Sequence, residues 1–213
     1  ATQQWFALGT PTHTPLFVDQ GYMIYKYPGP EDWESDTTYT FEGPINNGLF
    51  PFDNLIHPTV ADYHSLVPNP YPSAIDWDAA SGWTKTNVNN AIWIWTNDGT
   101  TGKYASYVGA VGSTPGVGVN GGSRYIPLGQ AFMISTNGNP TFAMDNDIRV
   151  HSNQAFYKAG DEIAGLLRLK AHTNESSDEL AVRFVEQSTP SFDGIYDATK
   201  LFGNEEAPQL YSV

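Results

Sequence analysis

Trp93 and Trp95 stand two apart in the run Ala91-Ile92-Trp93-Ile94-Trp95. On a β-strand that spacing puts both indoles on one face and Ile92 and Ile94 on the other. If the isoleucines line a core, the tryptophans make a flat apolar platform suited to stacking on sugar rings. The competing reading covers both faces, with a proline-rich loop lying over the indoles. Tyr71, Trp77 and Trp83 complete the candidate ligand-binding set. Tyr71 and Trp77 read better as plugs that fasten their loop to the core. Trp83, between Gly82 and Thr84, reads as exposed.

Carboxylates occur as close pairs: Asp76/Asp78, Asp145/Asp147 and Asp193/Asp197. Calcium takes six to eight hard oxygens, often from loop carboxylates and carbonyls. Asp145, Asp147 and Asp193 are therefore candidate ligands of a structural calcium, although no EF-hand spacing is present. The plainer role for such aspartates is to cap turns by accepting backbone N–H bonds, and Asp145-Asn146-Asp147 is the best turn of the three. His57 and His64 lack the H-E-x-x-H frame of a metalloprotease. The glycine-rich run from Gly109 to Gly122 contains Gly116-Val117-Gly118 but no following Lys-Ser/Thr, so it reads as a surface loop. No G-x-S-x-G elbow occurs. A glycosidase would need two carboxylates at a set separation, which spacing along the chain does not give. The expectation is a non-catalytic protein.

Elements must hold these residues in place. The segment Val67-Pro68-Asn69-Pro70-Tyr71-Pro72-Ser73-Ala74-Ile75-Asp76-Trp77-Asp78 carries three prolines. Proline lacks the N–H and biases its predecessor toward extended backbone, so a stiff loop is expected there. One helical turn, capped by Asp76 or Asp78, is the expectation for 76–83. Strand patterns run over 17–27, 37–41, 91–95, 103–108, 125–126, 131–135 and 141–144, punctuated by Gly, Asn and Pro, with 31–36 as an acidic loop. Two more alternating strands, 166–171 and 179–185, flank a polar hairpin loop, and 207–213 starts another. Short strands at this spacing predict an all-β chain of β-sandwich or jelly-roll type. The character changes near Gly160. The expected division is a sandwich over 1–158 and a smaller β region over 159–213, either the start of a second sandwich or an extension packed on the first.

Three motifs together carry a resemblance. They are the run Asn69 to Asp78 (N-P-Y-P-S-A-I-D-W-D), Ala91 to Trp95, and Arg124-Tyr125-Ile126-Pro127-Leu128-Gly129-Gln130-Ala131-Phe132. With them the first 150 residues or so resemble a module of large proteins that Bacteroidetes export by type IX secretion. Ala131 stands where the family pattern has a second glycine, which implies a backbone that does not need positive φ. The later residues resemble the opening half of another sandwich in the same proteins. The resemblance implies a secreted or outer-surface location, an accessory role and neighbouring domains. It also implies that the chain is a piece of something longer.

Composition narrows the partners. The net charge is −13, with only 10 Lys and Arg. A nucleic-acid binder needs a basic footprint, and none is present. Anionic membrane is an equally poor partner, and no apolar run has the length of a membrane span. The absence of cysteine removes disulfides, thiol nucleophiles and Cys-type zinc sites. Two functions stay open: polysaccharide binding through exposed aromatics, or an architectural spacer, stalk or adhesin domain without a small ligand.

Overall fold

The computed structural model describes residues 17–23, 42–55, 57, 63–97, 101–151 and 163–213. The expected strand at 37–41, the acidic loop at 31–36 and the division at 158/159 lie outside these residues. In chain order the elements are β1 (Phe50–Pro51), β2 (His64–Pro68), β3 (Ala74–Asp76), β4 (Trp83–Asn97), β5 (Gly102–Val108) and β6 (Val117–Val119). They continue with β7 (Tyr125–Ile126), β8 (Ala131–Met144), a 3-10 turn (Asn146–Ile148), β9 (Arg149–Val150), β10 (Leu166–His172) and β11 (Ser177–Arg183). The described chain is all-β, as expected.

Two long strands organise it. β4 and β8 pair antiparallel, β5 and then β6 extend the sheet beyond β4, and β1 and β2 share the far edge of β8. A small sheet, ordered β7-β3-β9, lies against one face. Val67, Ile92, Ile94, Phe132, Ile134, Phe142 and Met144 from the large sheet meet Ile75, Ile126 and Trp77 from the small-sheet side in the principal core. This is the two-layer burial expected of a sandwich.

The alternation along β4 reverses partway. Trp83 packs toward the principal core, and so do Val88, Ile92 and Ile94. Odd positions face inward before the change and even positions after it. The register of β4 on β8 slips between Thr86 and Val88, where Asn87 sits at φ 55°. On β4 only Asn87 lies between the paired Thr86 and Val88, whereas four residues, 137–140, lie between their partners on β8, and this irregularity turns the β4 side chains that follow to the other face. The Asn87 amide donates to Asn139 O at 2.8 Å and holds the bulge. A second slip lies between Val88 and Ile92.

The far face of the large sheet is apolar as well. Ala91, Trp93 and Met133 are buried there beneath Ala198 and Leu201. Residues 193–211 run across this face as an irregular strap without strand structure. Asn90 N–H donates to Gly194 O at 2.7 Å, and Asn204 N–H to Gly102 O at 2.9 Å. The expected strand at 207–213 is therefore a coil, committed to single bonds such as Leu210 N–H on Asp178 at 2.7 Å.

Asp178 ties three segments together. Its side chain is nearly fully buried and pairs with Lys200. It also accepts from the Asn120 amide at 2.8 Å. Its neighbour Glu179 accepts from Asn120 N–H and from Arg168. The β10–β11 hairpin is thereby fastened to β6 and to the strap.

Other expectations change in detail. Of the expected strand at 17–27, residues 24–27 lie outside the described residues, and 17–23 form a turn and coil; Gly21 N–H reaches Leu66 O at 3.3 Å instead of joining a ladder. The expected helical turn at 76–83 is an Asx turn, with Asp78 N–H donating to Asp76 Oδ1 at 3.0 Å. The strands at 131–135 and 141–144 are one strand. Part of the glycine-rich run is β6, paired with β5. A Cβ on Gly122 would lie 1.9 Å from Ser106 O, so that approach admits only glycine. Ala131 lies in extended strand, consistent with a position that does not need positive φ.

Removal of the Asp178 carboxylate should be severe. Asp178→Ala strands Lys200 and two N–H donors and is expected to cost about 3–5 kcal/mol, measured by urea unfolding. Burial pushes the Asp178 carboxyl up, but Lys200, Asn120 and the Leu210 N–H outweigh it and hold the group below its ordinary value. Its stabilising contribution is complete above the ordinary carboxylate pKa of about 4 and is lost as pH falls through the lower folded value. The Asp178→Ala chain should lose less stability than the wild type over that acid window.

Candidate functional site

The proline-braced loop after β2 is built on Asn69. Its side chain donates to Ser73 O at 2.8 Å and Pro127 O at 2.9 Å, and accepts from Tyr71 N–H at 3.0 Å. Its own N–H donates to Gln130 O. The two motifs N-P-Y-P-S and Y-I-P-L-G-Q are thus bonded to each other. Tyr71 is buried, and its hydroxyl donates to Gly48 O at 2.8 Å. Burial, with Asp145 adding to it and Arg149 opposing it, pushes this phenol up to about 12. Trp77 is fully buried, and its indole N–H donates to Asn90 O at 3.2 Å. Both residues are plugs, and neither offers a ring to a ligand.

Trp83 is only partly exposed. It packs edge-on to Trp77 with ring centroids 5.0 Å apart, and its N–H donates to Asp76 O at 2.9 Å. The reading of Trp83 as an exposed ring is corrected: its odd position precedes the bulge and turns it toward the core. Lys85 follows on the same face, with its ammonium 3.9 Å from the centre of a Trp77 ring and 5.4 Å from one of Trp83. It donates to Trp77 O at 3.3 Å. Burial pushes this amine down to about 8, against the attraction of Asp78 and Asp76.

The paired carboxylates beside it are both occupied. Asp76 takes a two-pronged contact from Arg124, at 2.6 Å on each oxygen. Asp78 accepts from the Tyr107 hydroxyl at 2.5 Å and from Ala110 N–H at 3.0 Å. Burial first, and then the bond to Asp78, push the Tyr107 phenol up. The bond to Asp76 is the largest cause holding the Arg124 guanidinium more firmly charged than usual. Sequence reasoning missed Lys85, Tyr107 and Arg124. The one available signal was that Lys85 stands two from Trp83 and so shares its strand face.

The calcium candidates each serve a turn. Asp145 caps the 3-10 turn, accepting from Asn146 N–H at 2.6 Å. Asp147 accepts from the Ser81 hydroxyl at 3.1 Å. Asp193 accepts from Ile195 N–H at 2.9 Å, while its own N–H donates to Asp197. Asp145 and Asp147 flank one turn and Asp193 lies in the strap. Among the described residues no group of three or more His, Asp or Glu is gathered for a metal.

Trp93 and Trp95 do share one face, opposite Ile92 and Ile94, but their fates differ. Trp93 is 2% exposed. It packs edge-on to His64 at 4.6 Å, and its N–H donates to Thr199 O at 3.1 Å under the strap. It is therefore no part of an open platform. The cover is the strap and not the proline-rich loop. Trp95 is 41% exposed. It meets Tyr104, its cross-strand partner, at 4.9 Å edge-on. Its ring lies so close to Gly102 that a Cβ there would come within 2.0 Å of it. The strap fastens to the same Gly102, which brings a second exposed pair, Phe202 and Tyr211, to this end of the sheet; their centroids are 5.6 Å apart. Tyr104, Phe202 and Tyr211 were not picked out from the sequence, because register and strap path bring them there.

Lys85 gives a signed pH test. Between about pH 8 and 10 the unfolded chain keeps a lysine proton that the folded chain has released, so stability rises with pH across that window. The raised phenols of Tyr71 and Tyr107 act in the opposite sense only above about pH 10, where free tyrosine ionises. Urea midpoints of the wild type should therefore climb from pH 8 to 9.5. Those of Lys85→Met should stay flatter over the same range.

Among the described residues no helix is long and apolar enough to cross a membrane. Comparison with curated proteins and with solved structures finds no match. A family model described as a domain of unknown function, DUF8693, matches residues 1–213. The chain belongs to that family.

Proposed function

We propose that this chain is a non-catalytic accessory module that binds polysaccharide at the Trp95 end of its large sheet. The observation that carries this reading is the seating of Trp95. Its ring is open to solvent on a strand, backed by Tyr104 and laid against the backbone of Gly102. A ring already fixed in place loses little entropy on stacking against a sugar. The Phe202–Tyr211 pair, on the strap that anchors at Gly102, supplies a second exposed aromatic pair at this end of the sheet. The occupation of Asp76 and Asp78 by Arg124 and Tyr107 supports structural rather than catalytic work for that pair. The motif resemblance supports a secreted or outer-surface setting, alongside neighbouring domains of a larger protein.

The architectural reading is the second one, favoured by the burial of Tyr71, Trp77 and Trp93. A glycan array probed with the purified chain, with and without calcium, separates the two. Trp95→Ala should weaken binding to the retained polysaccharide at least fivefold, matching the ~1 kcal/mol of an aromatic contact. Its melting temperature should stay close to wild type. Trp93→Ala should instead cost about 3–5 kcal/mol of stability, as a buried indole does. An empty array, or Trp95→Ala binding at wild-type strength, would favour the architectural domain.

A further inference from the structure

Among the described residues the β10–β11 hairpin has one open side: β10 hydrogen-bonds only to β11, and no other described strand pairs with its second edge. From Leu167 to His172, β10 alternates apolar with basic or polar residues. Leu167 and Leu169, 47% and 46% exposed, share a face with Val182 and Leu180 across the pair. Arg168 and Lys170 share the other face with Arg183. Glu179 is the one carboxylate among the paired residues on that face, against these three cations. In a chain of net charge −13 this is a local reversal of sign.

We propose that the free edge of β10 takes up an extended polypeptide strand from a partner, one that alternates apolar and acidic side chains. An unpaired edge is recognised by main-chain hydrogen bonds, which only another extended backbone supplies along its length. Apolar residues of the added strand would continue the Leu167–Leu169 face. Acidic ones would lie beside Arg168 and Lys170. Arg168 and Arg183 already reach the Gly118 and Pro115 carbonyls, so Lys170, the most exposed of the three, carries most of the charge preference. A second copy fits less well. Antiparallel pairing of β10 with itself about Leu169 sets Arg168 against Lys170, and pairing about Arg168 sets that residue against itself. Like charges directly opposite are unfavourable. Charged residues on an edge guard against self-association, and the same cations leave the edge open to an acidic strand.

The test uses the whole chain and a synthetic nine-residue peptide alternating valine and glutamate, followed by fluorescence anisotropy. A valine–lysine peptide and a proline-interrupted valine–glutamate peptide serve as controls. Saturable binding of the acidic peptide is expected, at least tenfold tighter than either control. Lys170→Glu, at an exposed position, should weaken it about tenfold, and Leu167→Ser with Leu169→Ser should weaken it further. Hydrogen exchange should slow at β10 on binding. Trp95→Ala should leave peptide binding unchanged, which separates this surface from the glycan site. Equal affinity for the acidic and basic peptides, no binding, or protection confined to other strands would overturn the proposal. So would a concentration-dependent dimer that Lys170→Glu strengthens and Leu167→Ser with Leu169→Ser abolishes, which would assign the edge to a second copy.

Discussion

The pairing of β4 with β8 is the constraint on which the rest of the structure depends. Each strand is long enough to serve both the principal core and the far face, and the irregularity at Asn87 decides which side chains of β4 go where. With Asn87 at positive φ, Trp83 and Ile92 point to the same side although their positions differ in parity. Without that slip, either the Trp83–Trp77 stack or the isoleucine face would be turned to water. The cost of a residue in the left-handed region is of order 1 kcal/mol, small beside several buried aromatics and isoleucines.

A sheet apolar on both faces needs two covers of different kinds. On one side a second sheet supplies regular strands and a packed core. On the other, an irregular strap covers Trp93 and Met133, and its backbone groups find no ladder. They are satisfied singly, by Asn90, Gly102, Trp93 and Asp178, each placed by an element of the sheet or the hairpin. This explains why a residue as costly to bury as Asp178 sits where hairpin, strap and β6 meet. It gathers an ammonium, an amide and a backbone N–H, and leaving any of them unpaired would be worse.

The same economy governs the aromatics and acids. Most of the tryptophan set is consumed in packing, and its N–H groups are aimed at carbonyls in the loop, the bulge and the strap. The described aspartates singled out as chemistry act as braces: Asp76 and Asp78 hold Arg124, Tyr107 and the loop, and Asp145, Asp147 and Asp193 hold turns. Among the described residues, the surfaces proposed for partners are one indole at the end of β4, an aromatic pair on the strap, and a strand edge bearing cations on an acidic molecule.

The sequence by itself determined the all-β class, a stiff loop within 67–78 (69–73, since 67–68 end β2 and 74–76 form β3), the hairpin that spans Leu166 to Arg183 and the opposition of Ile92 and Ile94 to Trp93 and Trp95. These are local properties: proline removes a donor, and a period of two sorts neighbouring side chains. It also pointed to Tyr71 and Trp77 as plugs. Only the tertiary structure decided that Trp93 is covered and Trp95 is not, because the cover is a segment a hundred residues away with no periodicity to announce it. The inward turn of Trp83 and Lys85 was equally hidden, since a bulge at an asparagine leaves no mark in the apolar pattern. Likewise Tyr104 came to stand beside Trp95 through strand register, and Phe202 and Tyr211 near it through the anchoring of the strap at Gly102. Register and anchoring are set by the fit of whole faces, and no short run of residues records them.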